Sequence, residues 1–506
     1  MEIKVNTVSI AALVYMYLGV VFFFIGWLKT GYALAACLIL GAGFLVGARF
    51  WCKAGADDKV HLSKGTLLMG AALILFFVWH TGIGAFTGQA GDWAKHNAVM
   101  HDLIEKDWPV MYRTAYGESM LSYYIGFYLC PALAGKALGS FRAAEWMQYA
   151  MAAIGIFLLW LLLIRIGKVK KGKWQLLCLA LLFFFGGLLP LGQAVCGSIY
   201  PENFPFGSHE WMNPETVRIQ YTSNWSLLKW VPGQAIVPWM ATSLLLLKPW
   251  KTENYMLIGF PVIWYSGFAM IGLAALMLPL YLYDGVKNGW KRLGKAFSIS
   301  NLLFAVLSGI PVLYFWGNIS GEKPEYLGFH WLDYGGKPGF YILFCFFMFG
   351  FYAILLFKEN RKNIVYWISV TALLIYPRFA MGLYNDFTMR ASIPALFMLL
   401  ALILRFFSEG NGQEQDKNVV IRKTLLAAGL AVGMIYPLMN LRESIVKNQI
   451  GAVYRTESSM SLEPLADPSD GEIPDDFKYN YYTYHLEKDI FYQYLAKRGT
   501  DLDNMK

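Results

Sequence analysis

Long, unbroken apolar runs set the fold class of this chain before any motif is read. Eleven stretches recur from Ser9–Leu28 and Tyr32–Phe50 through Trp146–Ile166 and Trp174–Val195 to Ala391–Phe407 and Leu425–Met439. Many are about 17–22 residues long, enough to cross ~30 Å of hydrocarbon as helix. They do not alternate polar with apolar, which argues against a β-barrel. Of 506 residues, 57% are hydrophobic and 15% charged, against about 25% charged in an ordinary soluble domain. A soluble enzyme, a nucleic-acid-binding domain, a disordered protein and a small disulfide scaffold are excluded together. The expectation is an all-α polytopic membrane protein with about 12–13 transmembrane helices.

Charge gives the expected sidedness. The basic clusters Lys53/Lys59/Lys64, Arg165–Lys173, Lys287–Lys295, Lys358–Lys362 and Arg405–Lys423 belong on the cytoplasmic side. Placing Lys53 and Arg165 together needs an even number of crossings between them. Met120–Leu138, interrupted by Pro131, Lys136 and glycines, is therefore read as a tilted or re-entrant piece at the outer interface. By the same reasoning Tyr255–Tyr283, with Pro261, Gly267 and Pro279, is read as a hairpin of two short helices. The net charge of +9 then divides into +14 inside and −5 outside. It is a topology signal and requires no nucleic-acid partner. The expected location is the plasma membrane, with the N-terminus cytoplasmic and the C-terminus extracytoplasmic. Ser9–Leu28 reads as a retained anchor, since its run exceeds a signal-peptide core and leads into a second span without a cleavage pattern. The six cysteines form no C-x-x-C, so neither zinc nor a disulfide framework is indicated.

On this reading residues 1–439 form a helical membrane domain, and 440–506 a polar extracytoplasmic tail rich in Tyr and Asp. Four outer loops, 87–119, 196–233, 317–338 and 377–390, carry the polar residues. Span interiors hold almost no ionisable groups apart from His80, which weighs against an ion-coupled transporter. In the first loop, Asp92–Lys106 has the spacing of an amphipathic helix. Asp92, Lys95, His96, Val99, Asp102 and Lys106 share a mostly polar face, with Trp93, Met100, Ile104 and Trp108 toward the bilayer surface. The short last loop brings Arg378, Asp386 and Arg390 to the same surface.

Each candidate has a plainer alternative. Asp92 is also a favoured helix N-cap. Lys95 and His96 suit a solvated helix face, and Asp102 suits an ion pair with Lys95 or Lys106. Arg378 and Arg390 are the best phosphate-gripping candidates, although snorkelling to headgroups gives the same placement. Asp386 can pair with Arg390 at i,i+4. Arg113, His209 and Glu210 are secondary candidates. The last two could join Asp92 around a divalent metal such as Mg or Mn, but no ligand spacing is diagnostic. The tryptophans near the second loop suit an interfacial belt as well as sugar stacking. Asn224-Trp-Ser and Asn318-Ile-Ser match the glycosylation sequon and are read as coincidence.

An acid and basic groups at one rim of an apolar body fit an isoprenoid-phosphate sugar, with its tail in lipid and its phosphate at the surface. Such a transfer needs a base for the acceptor hydroxyl and positive charge for the departing phosphate. The segments G-D-W-A-K-H-N-A, W-P-V-x-Y, W-V-P-G-Q-A and N-D-F-T-M-R-A-S-I-P-A-L lie within Thr87–Leu399. This region resembles the GT-C superfamily of membrane glycosyltransferases, in particular uncharacterised bacterial members. The resemblance implies an inverting transfer from a polyprenyl-phosphate-linked sugar to a saccharide, lipid or protein acceptor on the extracytoplasmic face, in cell-envelope polysaccharide biosynthesis. It implies Asp92 as catalytic base. The chain departs from the superfamily pattern in following Asp92 with Trp93 where many members pair two acids, and in placing the acid after the third apolar run. Two other classes remain: a transporter or flippase for a lipid-linked saccharide, and a non-catalytic membrane protein of envelope assembly.

Overall fold

The computed structural model describes residues 1–53, 58–89, 91–199, 219–319, 321, 324–334, 338–382, 385–409, 417–446, 461–467, 471 and 475–498. Among the described residues eight helices are long and apolar enough to cross a membrane: Val5–Trp27, Thr30–Cys52, Phe141–Ile166, Gly172–Ile199, Gly267–Asn288, Ile299–Ile319, Pro338–Asn360 and Asp386–Ser408. A bent pair, Lys417–Gly433 and Ile435–Val446, meets at 41°, and three shorter apolar helices, Lys64–Trp79, Pro232–Leu247 and Ile364–Arg378, join the bundle. The chain is an all-α, multi-pass membrane protein.

Apolar run length sets the reach of these helices, and serine sets several of their starts. Ser63, Ser140, Ser223, Ser266 and Ser298 each accept a backbone N–H three residues on, satisfying a donor that the first turn leaves unpaired. The helices sort by depth. Asp386–Ser408 is 83% buried within the protein and Ile299–Ile319 only 22%. The outward face of Ile299–Ile319 is a stripe of Ile299, Leu302, Val306, Val312, Trp316 and Ile319. A stripe that apolar would be unstable in water and is at home against hydrocarbon.

The basic clusters gather at one end of the bundle. There Glu2–Lys4 pairs antiparallel with Lys59–His61, Arg165 grips Asp58 at 2.6 Å, and Lys168 and Arg405 share Glu409 at 3.2 and 2.8 Å. Lys423 reaches the Glu409 carbonyl at 2.9 Å. Ser298 donates to the Glu253 carbonyl at 2.7 Å, tying the Lys251 and Lys287–Lys295 segments together. At the opposite end, Met111–Thr114, Gly117–Leu121 and Tyr482–Thr483 form a three-stranded antiparallel sheet. His330–Trp331 pairs there with Phe379–Ala380.

Several expectations change in detail. Met120–Leu138 divides into a strand end and the helix Gly126–Leu138, 13 residues long and about 20 Å at 1.5 Å per residue, too short to cross. Gly139, at φ 57°, stops it in the left-handed conformation that costs glycine least. Tyr255–Tyr283 is not two short helices. A buried leg, Tyr255–Gly259 continued by Phe260–Trp264, leads through Ser266 into the 22-residue helix Gly267–Asn288. Thr66–Phe86 stops as a helix at Trp79, and helix extends past residue 439 to Val446.

The tail is not a separate polar appendage. Its described part is woven into the first loop: Tyr482–Thr483 is the third strand of the sheet, and Leu495 and Lys497 bond to Lys29 and Trp27 at 2.8 Å. The helix Trp93–Glu105 forms where the spacing predicts one, but it does not float at the bilayer surface. Trp93, Met100, Leu103 and Ile104 are buried in protein: Trp93 docks on Lys229 and Ile104 packs at Gly135 of the helix Gly126–Leu138, where the sequence pattern puts lipid.

Candidate functional site

At the end of the bundle opposite the basic clusters lies a cavity of about 800 Å³. Three of the sequence segments singled out above converge on it. The first supplies Asp92, Lys95 and His96, the second Trp230 and Val231, and the third Asp386, Met389 and Arg390.

Asp92 opens the helix Trp93–Glu105 through its backbone, its carbonyl accepting from Lys95 and His96 at 3.1 and 3.2 Å. Its carboxylate makes no capping bond. The side chain is about half exposed, with one oxygen 3.3 Å from Lys95 Nζ, so it is free to face the cavity. His96 is held differently. Its Nε2–H donates to the Trp230 carbonyl at 2.6 Å, and Nδ1 accepts from the Tyr128 hydroxyl. Both nitrogens are committed. Burial outweighs the attraction of Asp92 and pushes the imidazole pKa down to about 4. His96 is therefore a neutral strut, not a positive charge available to a phosphate. Trp93 Nε1–H donates to the neighbouring Lys229 carbonyl at 2.6 Å, so two adjacent carbonyls dock the first segment on the second.

The third segment begins with Asn385 at φ 49°. Its side chain accepts from Met381 N at 3.3 Å and donates to Thr388 Oγ1 at 3.0 Å, fixing the turn into the helix. Asp386, in the first turn where the helix dipole favours a carboxylate, pairs with Arg390 at 3.0 Å. The Arg390 side chain is only 13% exposed, and its Nε has no hydrogen-bond partner among the described residues. A buried guanidinium with a donor unspent is short of an acceptor. The charges of Asp92 and Arg390 both reach His96, Tyr128 and Tyr481, which puts acid and guanidinium in one electrostatic neighbourhood.

The other candidates are placed elsewhere. Arg378 does not line the cavity; its guanidinium lies over the Tyr341 ring, 3.9 Å from the centroid, with Tyr334 beyond at 5.5 Å. The expected Arg378/Arg390 pair is thus split, because the turn Tyr376–Arg378 directs the first guanidinium into an aromatic pair. Asp102 is fully buried and pairs with neither Lys95 nor Lys106. It accepts from Tyr112 Oη and Leu462 N at 2.9 Å each and faces His101 Nδ1 at 3.1 Å. It is a clamp between the first loop and the C-terminal segment. Arg113 is exposed on the sheet opposite Glu118. His209 and Glu210 lie outside the described residues.

The sequence pattern missed Tyr123, Gln220, Glu325, Asn318, Asn480 and Tyr481, all on the cavity wall. The Asn318 sequon asparagine donates to the Tyr479 and Tyr482 carbonyls at 2.9 and 2.6 Å, fixing the strap that carries Asn480 and Tyr481. The run Y-N-Y-Y at 479–482 was the available signal. The remaining wall is apolar: Phe268, Phe315, Ile319, Leu327, Phe329 and Met381. Ile319 and Phe329 reach the outer surface, so the polar chamber has a greasy rim.

Among the described residues no three His, Cys, Asp or Glu side chains come together to hold an ion, and Asp386 is already held by Arg390. No family model matches the chain, and no significant match is found among curated proteins or solved structures.

Proposed function

We propose that this protein is an integral membrane glycosyltransferase of GT-C type, transferring a sugar from a polyprenyl-phosphate donor at the extracytoplasmic face with inversion. The observation that carries the reading is the pairing, in one chamber with an apolar rim, of a partly solvated carboxylate free of capping duty and a buried guanidinium with a donor unspent. About 800 Å³ lies within the range of small-molecule sites, ~300–1,000 Å³. The exposed Ile319 and Phe329 give a prenyl chain a path into lipid while its phosphate stays inside.

In this mechanism the acceptor hydroxyl oxygen attacks the anomeric carbon and its proton passes to Asp92. The bond from that carbon to the phosphate oxygen breaks on the opposite face. The phosphate leaves on its prenyl carrier, its charge met by Arg390 and Lys95. His96 positions the helix that bears Asp92 and holds no charge.

The test is transfer by purified protein in liposomes from a panel of labelled polyprenyl-phosphate sugars. Asp92→Asn keeps the side-chain shape, removes the base, and should lose about 10²–10⁴-fold in rate at an unchanged unfolding temperature. Full activity in that variant refutes the assignment. Lipid-linked saccharide crossing the bilayer without a transfer product would favour a flippase instead.

A further inference from the structure

At the basic end, far from the chamber, a groove of about 390 Å³ runs between the start of Gly172–Ile199 and the end of Asp386–Ser408. Its mouth holds Lys168, Lys170 and Lys171 against one acid, Glu409. That acid is already neutralised, taking Arg405 at 2.8 Å and Lys168 at 3.2 Å. Lys170 and Lys171 are exposed and have no acceptor among the described residues. The helix that starts at Gly172 has neither a side-chain cap nor an acidic residue in its first turn, so its unpaired N–H groups add to the positive field. Below the lysines the wall turns apolar, with Trp174, Leu177, Leu181, Leu404 and Phe407. Trp174 and Leu177 are open to the outside.

The geometry points to a seat for an anionic phospholipid, its phosphate between Lys168, Lys170 and Lys171 and one acyl chain along Leu177, Leu181, Leu404 and Phe407. Lysines alone would take any anion, and the apolar slot alone would take any lipid. Their stacking in one groove, cation above hydrocarbon, selects a molecule with both parts in that order. This inference is independent of the chemistry in the opposite chamber.

The experiment titrates purified full-length protein in neutral detergent with phosphatidylglycerol, phosphatidylcholine or inorganic phosphate, and counts bound lipid by native mass spectrometry. Saturable retention of phosphatidylglycerol alone is expected, undisturbed by millimolar phosphate. The surface variant Lys170→Gln/Lys171→Gln should lose roughly thirty-fold in affinity, since each lysine near an anionic headgroup is worth about five-fold. The control Lys291→Gln/Lys295→Gln alters exposed lysines at the same end outside the groove and should change affinity less than about three-fold. Equal losses in the two variants would mean unspecific attraction to a basic surface and overturn the seat. So would equal retention of phosphatidylcholine, or displacement of the lipid by phosphate.

Discussion

Replacing Asp102 by alanine isolates the clamp that roofs the chamber. The carboxylate is fully buried and serves two buried donors, Tyr112 Oη and Leu462 N, each at 2.9 Å. Truncation strands both. A buried donor without an acceptor costs about 1–3 kcal/mol, so the attachment of the C-terminal segment should weaken by roughly 4 kcal/mol. At 1.4 kcal/mol per factor of ten, the population with that segment released rises about a thousand-fold. The membrane helices do not use this contact, so the change should be local. The assay is limited proteolysis in detergent with the cut sites mapped by mass spectrometry. Cleavage within 461–498 should accelerate by two to four orders of magnitude on these estimates, while cleavage in the loops of the basic end stays constant. Asp102→Asn, which keeps one carbonyl oxygen for two donors, should fall between. Cleavage of the alanine variant within about three-fold of the wild type would refute the idea that this carboxylate holds the segment down.

The two arginines should behave differently. Arg390→Lys loses the fork that can grip a phosphate and should cost about 10²–10³-fold in transfer rate, whereas Arg378→Gln, outside the chamber lining, should leave the KM for the donor unchanged; equal effects would contradict the split. His96 should give stability a pH slope. Its folded pKa of about 4 lies below the unfolded value of about 6.5, so the unfolded chain takes up the proton first, and stability falls as pH drops through 6.5, levelling off below 4. The loss between pH 7 and pH 5 is about 2 kcal/mol. His96→Gln should flatten that part of the unfolding-temperature profile, and an unchanged profile would argue against a buried neutral imidazole. Gly272→Ala should lower the unfolding temperature and transfer together, because its Cβ would enter the Ala391 carbonyl beside Arg390; a neutral result would show that the two helices can part at no cost.

The membrane class was legible because hydrocarbon thickness fixes run length, and Val5–Trp27 or Phe141–Ile166 could satisfy it only as long helices. The basic clusters were legible as one end because charge must leave the bilayer. Asp92 and Arg390 share a surface in the sequence reading, and both line one cavity. What the pattern could not carry was neighbours. The periodicity of residues 92–106 is the same whether lipid or protein covers the apolar face, so it assigns Trp93 and Met100 to the bilayer although both are buried in protein. Asp102 and Asp92 look alike in sequence; burial, decided by Leu462 some 360 positions away, makes one a clamp and leaves the other at the cavity. Arg378 and Arg390 likewise part company through their neighbours, the Tyr341 ring under one and Asp386 beside the other.

The strap bearing Asn480 and Tyr481 comes after the last of the hydrophobic rods, which ends at Val446. During synthesis, every rod can therefore enter the bilayer while the chamber still lacks part of its wall. A nascent chain stopped short of residue 480 would hold these helices yet lack the Asn480 and Tyr481 part of the cavity wall. The order of the polypeptide thus sets insertion before closure of that wall.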